Sequence, residues 1–150
     1  MNEVITDPQF GTLDTVDSLW QIICHEGITI TPSVLDSVLK LDVLNTKGAN
    51  WHGELRYAPF EVNPPQTYIV TFSAKAKVSF LFSVWLGQMN HPWASLTPDS
   101  NHFGEQMMTP EWQTFTHTWT PNKQETQARL NFVLGPIDNT IEIKNVSLKH

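Results

Sequence analysis

Most apolar stretches of this chain carry their apolar residues at alternate positions, the period of a strand with one covered face. In "YIVTFSAKA", Tyr68, Val70, Phe72 and Ala74 alternate with Ile69, Thr71, Ser73 and Lys75. "VSFLFSVWL" sets Phe80, Phe82, Val84 and Leu86 against Ser79, Leu81, Ser83 and Trp85. "WQTFTHTWT" opposes Phe115, His117 and Trp119 to Thr114, Thr116 and Thr118, and "ARLNFVLG" opposes Leu130, Phe132 and Leu134 to Arg129, Asn131 and Val133. "TIEIKNVSL" is a further β-rich run close to the C-terminal residue. Turn formers divide these runs: "NTKGAN", "NPPQ", "TPDSNHFG", "TPNKQE" and "GPIDN". Most of the ten prolines fall in such breaks, where a missing N–H interrupts no ladder. One stretch, "LDTVDSLWQII", has some helical character, yet it is short and rich in Thr and Ile and reads equally as a loop or a first strand. Nine or ten short strands at regular turn spacing predict an all-β, two-sheet antiparallel sandwich of jelly-roll type. At 150 residues, with no linker or internal repeat, residues 1–150 form a single domain in this reading.

Alternation also sorts side chains by face. If Phe80, Phe82, Val84 and Leu86 enter the core, Trp85 faces outward, unless a one-residue register slip or bulge returns it to the interior. Arg129 and Asn131 face outward when Leu130 and Phe132 face in. In "NWHGELRY", Leu55 faces in while Glu54 and Arg56 face out. The stretch "FSVWLGQMNHPW" leaves the core along a strand and ends with Gln88, Asn90, His91 and Trp93 in a rim loop. Trp20, Trp112 and Trp119 are assigned to the core or edge of the sandwich, and the Thr114, Thr116, Thr118 row to an ordinary exposed face.

Composition narrows the partner. Charged residues make up 16 % of the chain, below the roughly 25 % of an average domain. Much of the surface must therefore be Thr, Ser, Asn and Gln, which suits a neutral hydroxylated ligand. A net charge of −6 without a basic run argues against nucleic acid and against an anionic membrane surface. No apolar stretch approaches the roughly 20 residues of a membrane span. Cys24 is the only cysteine, so no disulfide forms within the chain. "MNEVITDPQF" does not read as a signal peptide. A chain working outside the cell would then be an excised module or a mature fragment carrying an added Met1.

Catalytic signatures are weak. There is no Gly-x-Ser-x-Gly elbow, no His-Glu-x-x-His, no cysteine cluster and no phosphate loop, and the six histidines are scattered. A two-carboxylate glycosidase pair using Glu54 and a distant acid is neither shown nor excluded. Binding chemistry reads better. A sugar ring offers an apolar C–H face to flat aromatics and a rim of hydroxyls to charged or amide groups. Glu54 and Arg56 either take hydroxyls in this way or pair with each other across a solvated face.

The ordered set "NWHGEL", "TYIVTFSAKA", "VWLGQ…PW", "EWQTFTHTWT", "ARLNFVLG" and "IEIKNVSL" resembles carbohydrate-binding modules of the family 4, 9 and 22 type. Those modules show "W-x-x-Q-L", "Y-x-V-S-F-x-A-K-A", "W-x-x-Y-x-F-T-F-T", "A-R-L-x-F-x-L-G" and "I-D-N-V-S-L". The likeness spans about residues 5 to 148. No single segment is specific; their order is. It implies a jelly roll binding single chains of β-glucan or xylan in a cleft across a concave sheet, usually attached to a secreted glycoside hydrolase and not itself catalytic. Carried onto this sequence, the resemblance places Trp51 at the cleft tryptophan, Glu54 at a family glutamine, Gln88 and Trp93 at the cleft border, and Arg129 and Asn131 on the late strand that contacts ligand. Together with Arg56 and Trp85 these form the expected site. The family's early "F-E" reads Phe10-Gly11 here, and its closing "I-D-N-V" reads Ile143-Lys144-Asn145-Val146. Both lost acids resemble ligands of the family's structural calcium, which needs oxygen donors. The expectation is that this calcium is absent, with the Lys144 ammonium in its place. The expected protein is a monomeric extracellular module whose affinity for neutral glycans is insensitive to salt. The competing readings are a jelly-roll lyase or hydrolase using Glu54 and a histidine, and a cell-surface adhesion domain.

Overall fold

A computed structural model describes residues 2–13, 15–16, 18–44, 50–97 and 103–150. It contains ten strands in chain order: β1 (Trp20–Cys24), β2 (Thr29–Leu35), β3 (Val38–Leu44), β4 (Gly53–Val62), β5 (Tyr68–Ala76), β6 (Phe80–Gln88), β7 (Phe103–Met108), β8 (Gln113–Trp119), β9 (Glu125–Val133) and β10 (Asn139–Lys149). A 3-10 turn at Asn50–His52 precedes β4. The strands form two antiparallel five-stranded sheets. The front sheet has the order β1-β4-β9-β6-β7 and the back sheet β2-β3-β10-β5-β8. The all-β sandwich read from the alternation is the one observed. Of "LDTVDSLWQII", the part from Trp20 onward is strand β1, where Ile22 and Ile23 suit a pleated surface better than a helix. Most of the turns read at 45–50 and 97–104 lies outside the described residues.

The core lies where the two inner faces meet. Leu55 and Tyr57 of β4, Leu130 and Phe132 of β9, and Phe82, Val84 and Leu86 of β6 oppose Val70 and Phe72 of β5, Ile141 and Ile143 of β10, and Leu39 and Leu41 of β3; all are buried. Phe72 ties the sheets together, with its ring edge-on to Phe132 at 5.0 Å and Phe82 at 6.0 Å and stacked on Phe115 at 5.4 Å. Each such buried side chain contributes about 1.5–3 kcal/mol of transfer free energy. The N-terminal segment follows β10, with Asn2 and Val4 bonded to His150 and Leu148. It delivers Ile5 and Phe10 into the core beside Trp20.

Two breaks in alternation keep the apolar residues inside. In β10 the inward positions are Ile141 and Ile143, then Val146 and Leu148. The phase change falls at a bulge between Lys144 and Ser147, where Asn145 takes φ 56°. A bulge inserts one residue and so reverses which parity faces in. β4 shifts register in the same way between Tyr57 and Phe60. Trp119 is fully buried, but Trp112 is not a core residue. It sits just before the edge strand β8 at 37 % exposure.

Candidate functional site

The outer face of the front sheet carries the side chains that β4, β9 and β6 turn away from the core. Register aligns them into rows: Gln21, Arg56, Asn131 and Trp85 are successive cross-strand neighbours, and Ile23, Glu54, Val133 and Ser83 form the next row. The indole of Trp85 is half-buried and donates through Nε1 to Ser83 Oγ at 3.0 Å, so it lies along the sheet surface. The register slip that would have hidden Trp85 does not occur.

A wall rises beside this floor because the chain after β6 folds back on it. Gln88 N–H donates to the Ala94 carbonyl and Leu96 N–H to the Leu86 carbonyl, each at 2.9 Å, and Gly87 bridges to Ser95. Gly87 permits the approach: a Cβ there would lie 3.1 Å from the Ala94 carbonyl oxygen. Leu96 anchors the return in the core. The Gln88 side chain accepts from Ala94 N–H at 3.2 Å and donates to Glu125 Oε1 at 3.0 Å. Its amide is therefore spent on holding the loop. Trp93 sits at the loop's tip, 54 % exposed, at φ 54°, a conformation a bulky residue adopts only when its surroundings impose it. Its N–H donates to Asn90 and its ring meets His91 edge-on at 5.1 Å.

Trp51, half-exposed at 52 %, stands at the opposite end on the 3-10 turn that leads into β4. The rings of His52 and His25 meet it edge-on at 4.3 and 5.4 Å. Between these indoles lies an open trough of about 290 Å³, lined by Trp51, Glu54, Trp85, Trp93, Arg129 and Asn131 and also by Ser83, Gly87, Ala94, Ser95 and Val133.

The floor is charged and partly dry. Glu54 is only 6 % exposed. Its Oε2 receives Arg56 Nη2 at 3.4 Å and lies 4.0 Å from Arg129 Nη1. The pairing of Glu54 with Arg56 is thus real but not solvated. Arg56 does not line the trough; it lies beside it and orients Glu54. Burial, and then the neighbouring Arg56 guanidinium, bring Arg129 below the ordinary arginine value, while Glu54 pulls it back up. Arg56 Nε, Arg129 Nε and Asn131 Oδ1 are buried without a hydrogen-bond partner in the protein. Buried polar groups are ordinarily paired, and these three departures fall together on the floor of the front sheet.

Of the eight expected site residues, the structure places Trp51, Glu54, Trp85, Trp93, Arg129 and Asn131 around one trough and gives Arg56 and Gln88 supporting positions. The alternation read for β6 already turned Ser83 to this face without marking it as a site residue. Gly87 carried a usable signal, since a glycine inside a strand often marks close approach of another backbone.

The Lys144 ammonium lies over the Trp112 ring, 4.1 Å from the centroid, on the outer face of the back sheet. Gly11 contributes its N–H to Asp7 Oδ1, and Thr12 donates both its N–H and its hydroxyl to Asp7 Oδ2. Burial would raise the Asp7 carboxyl, but these three donors outweigh it and hold it below the ordinary value. Among the described residues no three or more His, Cys, Asp or Glu side chains are grouped to hold a metal ion.

Fold and trough together define a β-sandwich with an open, indole-lined trough on one outer sheet face. The family model described as a carbohydrate-binding domain, of families 4 and 9, matches residues 20–140, and the chain belongs to that family. No curated protein matches it. Among solved structures, a family 4 carbohydrate-binding module is similar at TM-score 0.80 and 23 % identity, covering 97 % of this chain and 99 % of that one. The second N-terminal cellulose-binding domain of Cellulomonas fimi β-1,4-glucanase C is similar at TM-score 0.66 and 20 % identity, covering 91 % and 87 %. A sugar-binding protein of Bacteroides thetaiotaomicron, itself described as putative, is similar at TM-score 0.70 and 16 % identity, covering 99 % of each. At these identities the likeness is one of fold.

Proposed function

We propose that this chain is a non-catalytic module that binds single chains of a β-linked polysaccharide, β-glucan or xylan, in the trough. It acts outside the cell as a monomer and holds an attached glycoside hydrolase near its substrate. The observation that carries this reading is the set of three indoles around one trough whose floor holds Glu54, Arg129 and Asn131. Indoles take the C–H faces of successive sugar rings, and the floor takes their hydroxyls. Glu54 is the single carboxylate lining the trough among the described residues, and it is held by Arg56. Hydrolysis by two carboxylates needs a second one about 5–9.5 Å away, so this arrangement favours binding over cleavage.

Calorimetry and affinity electrophoresis on laminarin, barley β-glucan, xylan and cello-oligosaccharides test the reading. Binding to at least one is expected, with little change between low and high salt. No binding at millimolar ligand would reject it, and release of reducing ends by the purified chain would replace it with an enzyme. Neither binding nor folding requires calcium in this reading. Thermal melting is expected to be the same in calcium and in chelator, and a calcium-dependent rise would overturn that part.

A further inference from the structure

The chain contains two arginines in 150 residues, and both lie on the floor of the outer front face. Arg56 and Asn131 are cross-strand partners, and Arg129 lies one outward position along β9 from Asn131. One carboxylate, Glu54, answers both guanidiniums, so the local sum is +2 − 1 = +1 in a chain whose net charge is −6. A neutral sugar leaves that surplus uncompensated in a site where the guanidiniums are largely shielded, their side chains 15 % exposed. Arginine, unlike lysine, offers a planar fork of donors matched to a planar carboxylate or a sulfate. Both Nε atoms are enclosed, so the accessible part of the Arg129 fork, on a side chain that lines the trough, is what a ligand would meet.

We infer that the trough recognises a β-linked glycan bearing an anionic group, a uronate carboxylate or a sulfate ester, which lies against Arg129 and neutralises the surplus charge. This rests on the reading of the trough as a glycan site and sharpens its substrate class. The indoles of Trp51, Trp85 and Trp93 hold the backbone rings above a floor that includes Asn131. Glu54 then has a second role. It occupies part of the guanidinium charge in the free protein and so weakens anion capture.

The test compares glucuronoxylan with the same polymer after reduction of its carboxyl groups to alcohols, and with unsubstituted xylan sulfated chemically. Calorimetry on the wild-type chain is expected to give roughly tenfold tighter binding to the acidic polymer than to its reduced form, the scale of one charge-assisted hydrogen bond. That preference should shrink as salt rises, whereas affinity for the reduced polymer stays nearly constant. Tighter binding of sulfated xylan than of glucuronoxylan would assign the anion as sulfate, and the reverse would assign it as carboxylate. Equal affinity for acidic and reduced polymers would overturn the inference while leaving glycan binding intact. Binding to none of the three would also overturn the inference, and the laminarin and β-glucan arms of the earlier panel would then decide whether glycan binding itself survives. Two variants sharpen the result through the ratio of acidic to reduced affinity: Arg129→Gln should bring it toward one, and Glu54→Gln should raise it. A ratio that falls in Glu54→Gln would count against the competition between Glu54 and the ligand. The wild-type comparison decides the main inference even if either variant fails to fold.

Discussion

The two sheets present outer faces of the same architecture and different chemistry. On the front face, Trp85 lies along the sheet, Glu54, Arg129 and Asn131 are largely covered, and a returning loop builds a wall beside them. On the back face, Thr116 meets Thr71 at 3.4 Å and Thr114 meets Ser73 at 3.0 Å, while Lys75 pairs with Glu142 at 3.3 Å; these contacts are exposed or only partly covered. Trp112 is there too, but with Lys144 and Lys75 over its ring. Both faces thus contain tryptophan, cations and hydroxyls. The difference lies in what is satisfied. On the back face the hydroxyls of Thr71, Thr116, Ser73 and Thr114 and the Lys75–Glu142 pair answer one another, whereas the front face leaves shielded donors and an acceptor without partners in the protein. If the trough is the binding face, incomplete pairing around Trp85 is what separates it from Trp112.

The sharpest way to break this contrast is to remove the front indoles. Trp51→Ala and Trp85→Ala are each expected to weaken glycan binding by about 2 kcal/mol or more, roughly 30-fold, the scale of a central aromatic anchor. Trp51 is half-exposed and touches mainly His25 and His52, so its variant should melt close to wild type. Trp85 also holds Ser83, so its loss should bring a modest fall in melting temperature. Calorimetry beside a thermal melt separates the two effects. Unchanged binding in both variants would move the site elsewhere.

A smaller effect is expected from the wall. In Gly87→Ala the added methyl would sit 3.1 Å from the Ala94 carbonyl oxygen, so the returning loop must yield by a few tenths of an ångström. That displaces Trp93, while towards the floor the methyl makes only an ordinary van der Waals contact, 3.6 Å from Arg129 Nε. Binding should fall several-fold, about 1 kcal/mol, a penalty of the size of mild overpacking. Retained affinity would mean that the loop is not part of the recognition surface. Gln88→Ala releases the same loop from Ala94 and Glu125 and should act in the same direction.

These contrasts also show how far the chain could be read without coordinates. Alternation in β5, β6 and β9 sorted inward from outward residues correctly, because strand period is a local property. It placed Trp85, Arg129 and Asn131 on one face for that reason. It did not anticipate that Gln88 would be consumed by the loop or that Arg56 would lie behind Glu54, since both depend on which backbone returns to which strand. The surroundings of Lys144 were hidden on the same ground: its neighbour across the surface is Trp112, a residue 32 positions earlier that no local pattern connects to it.

The weakest expected effect tests the back face itself. Trp112 is 37 % exposed and its ring carries two ammonium groups at 4.1 and 5.1 Å from its centroid. Contacts of this kind at exposed sites contribute about 0.5–1 kcal/mol each, and less where salt screens them. Trp112→Ala should therefore lower the melting temperature by roughly 2–4 °C for a domain of this size, and less in high salt. It should leave glycan affinity within about twofold, because Trp112 lies on the sheet opposite the trough and Lys75 keeps its contact with Glu142. A Trp112 variant that bound glycan as poorly as the Trp85 variant would show that exposed indoles recognise sugar on either face. Unpaired floor groups would then no longer be the property that distinguishes the trough.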